Sequence, residues 1–273
     1  MHASPAGAAR AMPLLWRPCA PGGAPSATAT TSSPPPGRGS APVPLGVDAV
    51  VDAAIALADE RGLSGVSMRA VGERLGCTAM ALYTHVPTKA VLVDLMHDAA
   101  HAELPRTHPG ATWRERVESW ADATWAFYLR HPWVLQVSPA RPLLGPHQYA
   151  QLDGLLAAVE GSGLPPKDLR RLASALFQLV GGVAQTVAET RQAESATGVA
   201  EDAWWYERSA LLEQVATDFD TRFPTVTRLA GEGAFTLDDE SVPYLEQEAT
   251  ETFRTGLALL LDGVAARVAR AAS

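Results

Sequence analysis

Cysteine is scarce in this 273-residue chain: only Cys19 and Cys77 occur. Two cysteines support neither a disulfide framework nor a cysteine-based zinc site, and they fit a reducing, cytoplasmic setting. Long apolar runs are missing too. A membrane helix needs about 18 consecutive apolar residues, and the longest candidates are broken by Gln178 and Gln185 and by Asp262. No membrane partner is expected. Basic excess is also absent. Lys plus Arg is 22 against 30 Asp plus Glu, a net charge of −8. An acidic chain does not coat polyanions indiscriminately. That argues against a histone-like or ribosomal role but leaves room for a local basic surface. Finally, there is no glycine-rich phosphate loop, nucleophile elbow or Cys/His catalytic pair. The expectation is a protein that is not an enzyme and carries no cofactor.

What is present divides into three stretches. Residues 1–44 hold ten of the 21 prolines, no acid, and only Arg10, Arg17 and Arg38 as charges. The Pro34-Pro35-Pro36 run forbids helix, and there is little periodic apolar surface to bury. A disordered tail is expected over 1–44, inert or acting as an arm that touches DNA phosphates. Its lack of an apolar h-region argues against a secretory signal.

From Gly46 the pattern changes. Val47, Val50, Val51, Ala54, Ile55 and Ala58 recur at the spacing of one helix face, and Gly62 is a C-terminal stop. Ser67 can cap a helix over 68–75 that Gly76 ends, and Thr78 opens a third short helix to about His85. Thr88 can cap a fourth, ending near Leu104. Three short helices joined by tight glycine-containing turns make a helix-turn-helix unit. Beyond Pro105 every apolar segment has a helical period: 112–130, 133–137, 146–160, 166–191, 201–219 and 243–270. The fold class expected is all-α, with a tail over 1–44, a helix-turn-helix domain over 45–104 and a helical domain over 105–273.

Several runs in the first block are specific: Ala53-Ala54-Ile55-Ala56-Leu57, Arg61-Gly62, Ser67 to Gly76, and Ala81-Leu82-Tyr83-Thr84-His85-Val86 followed by Thr88-Lys89. This part resembles the N-terminal domain of the tetracycline-repressor (TetR) family. More loosely, Arg130-His131-Pro132-Trp133, Arg141-Pro142, the helix around 177–189 and the closing 253–264 helix resemble the C-terminal domain of the tetracycline-repressor subgroup. The resemblance implies a homodimeric regulator that binds double-stranded operator DNA. It also implies release by a small-molecule effector.

A recognition helix is short and aims its N-terminal residues into the major groove. Thr78, Ala79, Met80 and Ala81 occupy that place. Tyr83, Thr84, His85 and Lys89 stand at the helix end and the following turn, where the family pattern makes phosphate and base-edge contacts. Ser67 and Arg69 look like backbone clamps, and an arginine can read a guanine edge bidentately. Leu82, Val71, Leu75 and Val86 are expected beneath them as a small core. Cations are few. Residues 46–104 carry Arg61, Arg69, Arg74 and Lys89 against eight acids, so each subunit is expected to engage on the order of two to three phosphates.

In the C-terminal block the 166–191 helix is apolar nearly all round, which indicates burial on both sides. The last helix carries Phe253, Leu257, Leu260, Leu261, Val264 and Val268. By resemblance, these two helices pair with their two-fold mates in the dimer. The resemblance also implies that the remaining helices enclose an effector cavity, with His101, Trp113, Trp120, Thr124, Val137, Phe177, Gln178, Gly181 and Gln185 as candidate lining. Large aromatics with a few amides suit a mostly apolar ligand oriented by few hydrogen bonds. Plain core packing is the competing reading for each. Contact between this block and residues 91–104 is the expected transmission route. Where the tetracycline-repressor subgroup carries a metal-ligating histidine, the resemblance places Val137, so no metal-bridged drug is implied. His97 and His101 have the i, i+4 spacing of zinc ligands, but no third ligand stands near them in sequence, and no metal site is expected.

Overall fold

The computed structural model describes residues 5–17, 45–138, 140, 142–236 and 242–272. Helices, and no strand, occur among these described residues. In order they are α1 (Pro5–Leu15), α2 (Val47–Gly65), α3 (Met68–Leu75), α4 (Ala79–Tyr83) and α5 (Lys89–Ala100). A 3-10 turn His101–Glu103 follows, then α6 (Trp113–Arg130), a second 3-10 turn Pro132–Gln136, α7 (Pro146–Val159) and α8 (Pro166–Thr197). The last four are α9 (Glu201–Val215), α10 (Phe219–Arg222), α11 (Pro224–Gly231) and α12 (Tyr244–Ala272). The chain forms two compact units, Met1–Ala173 and Ser174–Ser273.

In the first unit, local chemistry places each helix start. The hydroxyls of Ser67, Thr78 and Thr88 accept the backbone N–H groups of Ala70, Ala81 and Val91, at 3.1, 3.3 and 3.1 Å, which satisfies donors that have no partner inside the helix. Thr112 and Glu115 form a reciprocal capping box on α6. Gly62 and Gly76 end the regular parts of α2 and α3 in the left-handed region, at φ 70° and 68°, which glycine adopts without a Cβ penalty. Gly72 lets α3 approach α4: a Cβ there would stand 2.7 Å from the Cys77 carbonyl oxygen and 3.3 Å from the Ala79 nitrogen. Beneath, Val50, Leu57, Val71, Leu82, Val86 and Leu92 are fully buried, or nearly so. Leu75 is only half-buried.

The expected disorder over residues 1–44 does not hold for residues 5–17. The alanine-rich stretch there is helical, with Pro5 in its first turn, where no N–H is needed. Ala11 and Leu15 are buried, and α1 packs on α5. Trp16 Nε1 donates to the Leu144 carbonyl at 3.0 Å, its ring stands 6.4 Å from that of Tyr149, and Arg17 pairs with Asp48. Its apolar face is too brief to register as a helical period in the sequence. Residues 18–44, with the triple proline, lie outside the described residues, as does Arg141.

Around α5, the helices α6 and α7 pack on one another, with Trp120, Phe127, Trp133 and Leu155 fully buried. Asp98 of α5 accepts the backbone N–H groups of His147 and Gln148 at 3.1 and 3.0 Å, capping α7 from outside its own chain segment.

In the second unit, α8 and α12 touch where Gly256 meets Leu179, and Arg191 Nε donates to Glu246 at 3.1 Å. Leu176, Val180, Val187, Phe253 and Leu261 are buried, whereas α9, α10 and α11 have no buried residue. Helix α8 continues to Thr197, beyond the expected Arg191. The expected 201–219 helix stops at Val215, where Ala216 leaves the helical region at φ −115°, ψ 59°. Thr217 and Asp218 follow, and such side chains compete with helical backbone bonding.

Candidate nucleic-acid interface and effector site

Every residue predicted to touch DNA falls on one stretch running from the start of α3 through α4 to the first turn of α5. Ser67, Arg69, Thr78, Met80, Tyr83 and Thr84 are exposed, while Ala79, His85 and Lys89 are half-buried. Met80 is 74% exposed although apolar, so α4 presents it rather than packing it. The reason is the helix period. Leu82 is the one fully buried residue of α4, and this turns its neighbours outward. Because Thr78 accepts the Ala81 N–H, its own O–H remains a donor. Thr84 Oγ1 donates to the Ala81 carbonyl at 2.6 Å.

Arg69 donates through Nε to Glu73 at 2.8 Å, which raises its pKa above the usual arginine value. Both side chains lie in solvent, where such a pair contributes little, so Arg69 can exchange Glu73 for a phosphate. Arg74 is tied at 2.9 Å to Glu60, as a solvated pair.

Four of the predicted effector residues are buried in the first unit: His101, Trp120, Thr124 and Val137. Trp113 is half-buried at the start of α6. Trp120, Thr124 and Phe127 follow at i, i+4 and i+7 on one face of α6, and the Phe127 ring lies 5.0 Å from that of His101. Gln151 of α7 reaches the same place, donating to the carbonyls of His101 and Leu104 at 3.3 and 3.4 Å. The Thr124 hydroxyl and Gln151 Oε1 are buried without a hydrogen-bond partner, a condition that a bound polar group would relieve. Phe177, Gln178, Gly181 and Gln185 belong to α8 in the second unit. Phe177 and Gly181 are half-buried, Gln178 is exposed, and Gln185 is exposed and donates to Glu189 at 2.7 Å.

The histidines here are uncharged. Burial pushes His97 down to about 3, helped by His101, and pushes His101 down to about 4. His101 Nδ1 lies 2.6 Å from the His97 carbonyl; a carbonyl only accepts, so Nδ1 carries the proton and Nε2 is a bare acceptor. Burial likewise raises the Tyr128 hydroxyl to about 12. The cluster is therefore neutral, with hydrogen-bonding capacity but no charge. Among the described residues no group of three or more His, Cys, Asp or Glu is placed to hold a metal ion. Sequence reasoning missed Phe127 and Gln151. Phe127 reads as ordinary core, and the only signal for Gln151 is an amide within the apolar face of α7.

Comparison with known proteins agrees with this architecture. Residues 50–96 match the family model for bacterial regulatory proteins of the tetR family, and residues 104–268 match the tetracyclin repressor-like C-terminal domain. The HTH-type transcriptional repressor DrrR1 of Streptomyces coeruleorubidus is 35% identical over 237 residues, covering 86% of this chain and 82% of that one. An HTH-type transcriptional regulator of Saccharopolyspora erythraea is 32% identical, over 62% of this chain and 68% of that protein. The fold is that of the Streptomyces coelicolor TetR-family protein ActR, whose complex with actinorhodin superposes with a TM-score of 0.64 at 23% identity, covering 83% of this chain and 99% of that one. The matched C-terminal model spans more than half of the chain, the relative from Streptomyces coeruleorubidus spans most of it, and the chain belongs to the TetR family of transcriptional regulators.

Proposed function

We propose that this regulator is a homodimeric repressor that binds a palindromic operator through α4 and is released by a small, largely apolar effector. The observation that carries the DNA contact is the outward row Thr78, Met80, Tyr83 and Thr84 above buried Leu82. Apolar Met80 and Ala79 suit a thymine methyl, and Tyr83, His85 and Lys89 suit the backbone. Reading two half-sites one DNA turn apart needs two such helices, hence two copies. In the second unit Leu259 is 67% exposed, and a Cβ at Gly182 or Gly263 would meet nothing within 4 Å. An exposed apolar side chain and open, small positions on these helices suit close approach of a second copy. For the effector, the neutral His97/His101 pair and the unsatisfied Thr124 and Gln151 favour an uncharged molecule with hydroxyl or carbonyl groups. The effector acts by preferring one of two spacings of the recognition helices. The name of the Streptomyces coeruleorubidus relative favours repression over activation.

The test is a gel shift on DNA upstream of the gene, with oligomeric mass followed by light scattering. Tyr83→Ala with Lys89→Ala should abolish the shifted band and leave the dimer mass unchanged, whereas Leu259→Glu should lower the mass. Unaltered DNA binding by the double variant overturns the assignment of the surface.

A further inference from the structure

One carboxylate ties the first helix of the DNA-binding block to the second 3-10 turn and to His131. Asp59 Oδ1, near the C-terminal end of α2, accepts from Trp133 Nε1 and from His131 Nδ1, each at 2.7 Å. Helix α2 packs on the 3-10 turn that carries Trp133. On the other side of the imidazole, Nε2 lies 3.3 Å from Glu103 Oε2 and 3.3 Å from Arg130 Nε. Arg130 also pairs with Glu103 at 3.0 Å. The two contacts at Nε2 need opposite protonation. Arg130 donates to a lone pair there, while Glu103 accepts from an N–H.

We propose that His131 is a proton-operated latch between α2 and the regulatory elements. Neutral, it accepts at Nε2 from Arg130 and holds Asp59 through a single neutral donor. Protonated, it donates at Nε2 to Glu103 and holds Asp59 as an ion pair. The latch thus joins α2 to the end of α5 and to α6 more firmly in the protonated state. Because α3 packs on α2, the attachment of α2 sets how the recognition helix is presented. This consequence rests on the proposed DNA-binding role of α4, but the latch itself does not.

The groups facing His131 are Asp59 from α2, Glu103 and His101 from the first 3-10 turn, and Arg130 from its own helix end; the second 3-10 turn contributes the indole of Trp133. His101 is uncharged, and the Phe127 ring lies 5.0 Å from the His101 ring and 5.3 Å from the His131 ring. Burial disfavours the imidazolium, but Asp59 and Glu103 outweigh it and the His131 pKa is raised. A raised folded pKa stabilises fully below the unfolded value, about 6.5, and that contribution is lost as pH rises through the folded one. Closure therefore belongs to pH below the raised folded value and release to pH above it.

Hydrogen exchange on the full chain, without DNA, tests this separately from operator binding. After correction for intrinsic exchange, deuterium uptake over residues 47–65 should rise about threefold between pH 6 and pH 8.5 in the natural protein. In His131→Gln, which hydrogen-bonds but never charges, that rise should be lost. The same pH dependence in the variant, or none in the natural protein, overturns the latch. If the variant fails to fold, the ring-carbon NMR shift of His131 in histidine-labelled natural protein decides. A midpoint above the ordinary histidine value supports the latch, and one at or below it overturns it.

Discussion

His97 and His101 face each other across 4.6 Å in the same buried cluster, and both stay neutral because burial removes the water that a cation needs. Their folded pKa values of about 3 and 4 lie below the ordinary value, so between those limits the unfolded chain binds more protons than the folded one. Stability is then present above pH 6.5 and is lost as pH falls. The limit is about 2 kcal/mol per imidazole at pH 5. The thermal midpoint should drop between pH 7 and pH 5, and His101→Asn should shrink that drop; an equal drop in the variant counts against the assignment. This acid sensitivity opposes that of His131, whose contribution fades toward high pH. The i, i+4 spacing of His97 and His101 was legible in the sequence. Their neutrality was not, since it depends on Phe127 and the helices packed around them.

At the scale of the element, two joints matter. The α3–α4 turn depends on Gly72. Gly72→Ala would push a methyl group to 2.7 Å from the Cys77 carbonyl oxygen, backbone that cannot swing aside as a side chain end would. Overpacking of this kind costs about 1–3 kcal/mol, so the thermal midpoint should fall and gel-shift affinity with it. Helix α1 is the second joint. It touches α5, reaches Leu144 and Tyr149 through Trp16, and pairs with Asp48 of α2 through Arg17. Burial of Ala11 and Leu15 is worth about 1–3 kcal/mol. Deleting residues 1–17 should lower the thermal midpoint by a few degrees and leave the helix content of the remainder unchanged by circular dichroism. An unaltered midpoint would show that α1 holds nothing. The caps at Ser67, Thr78 and Thr88 were readable directly, because capping is a contest among neighbours in sequence. Helix α1 was not, because its partner lies some 80 residues away.

Over the whole molecule, charge is unevenly distributed. Residues 1–44 carry +3, residues 45–104 carry −4 and residues 105–273 carry −7. A dimer engaging on the order of two to three phosphates per subunit should show a logarithmic salt slope of about −4 to −5. Operator affinity should therefore fall by roughly 10²–10³ between 50 and 200 mM salt. A much steeper slope in gel-shift titrations would mean that cations outside α3–α5, such as those of residues 18–44, join the contact.

Helical class, the order of the helices from α2 to α8 and the reading of α3–α4 as the proposed recognition stretch come from the sequence alone. Each rests on short-range rules: apolar spacing at 3.6 residues, hydroxyl caps, glycine stops and a compact motif. Only the tertiary structure decided that residues 5–17 dock, that Asp59 is shared by His131 and Trp133, and that Thr124 and Gln151 are buried with capacity unspent. Those outcomes join residues far apart in the chain, and they depend on desolvation and on directional hydrogen bonds, neither of which exists until the helices have packed.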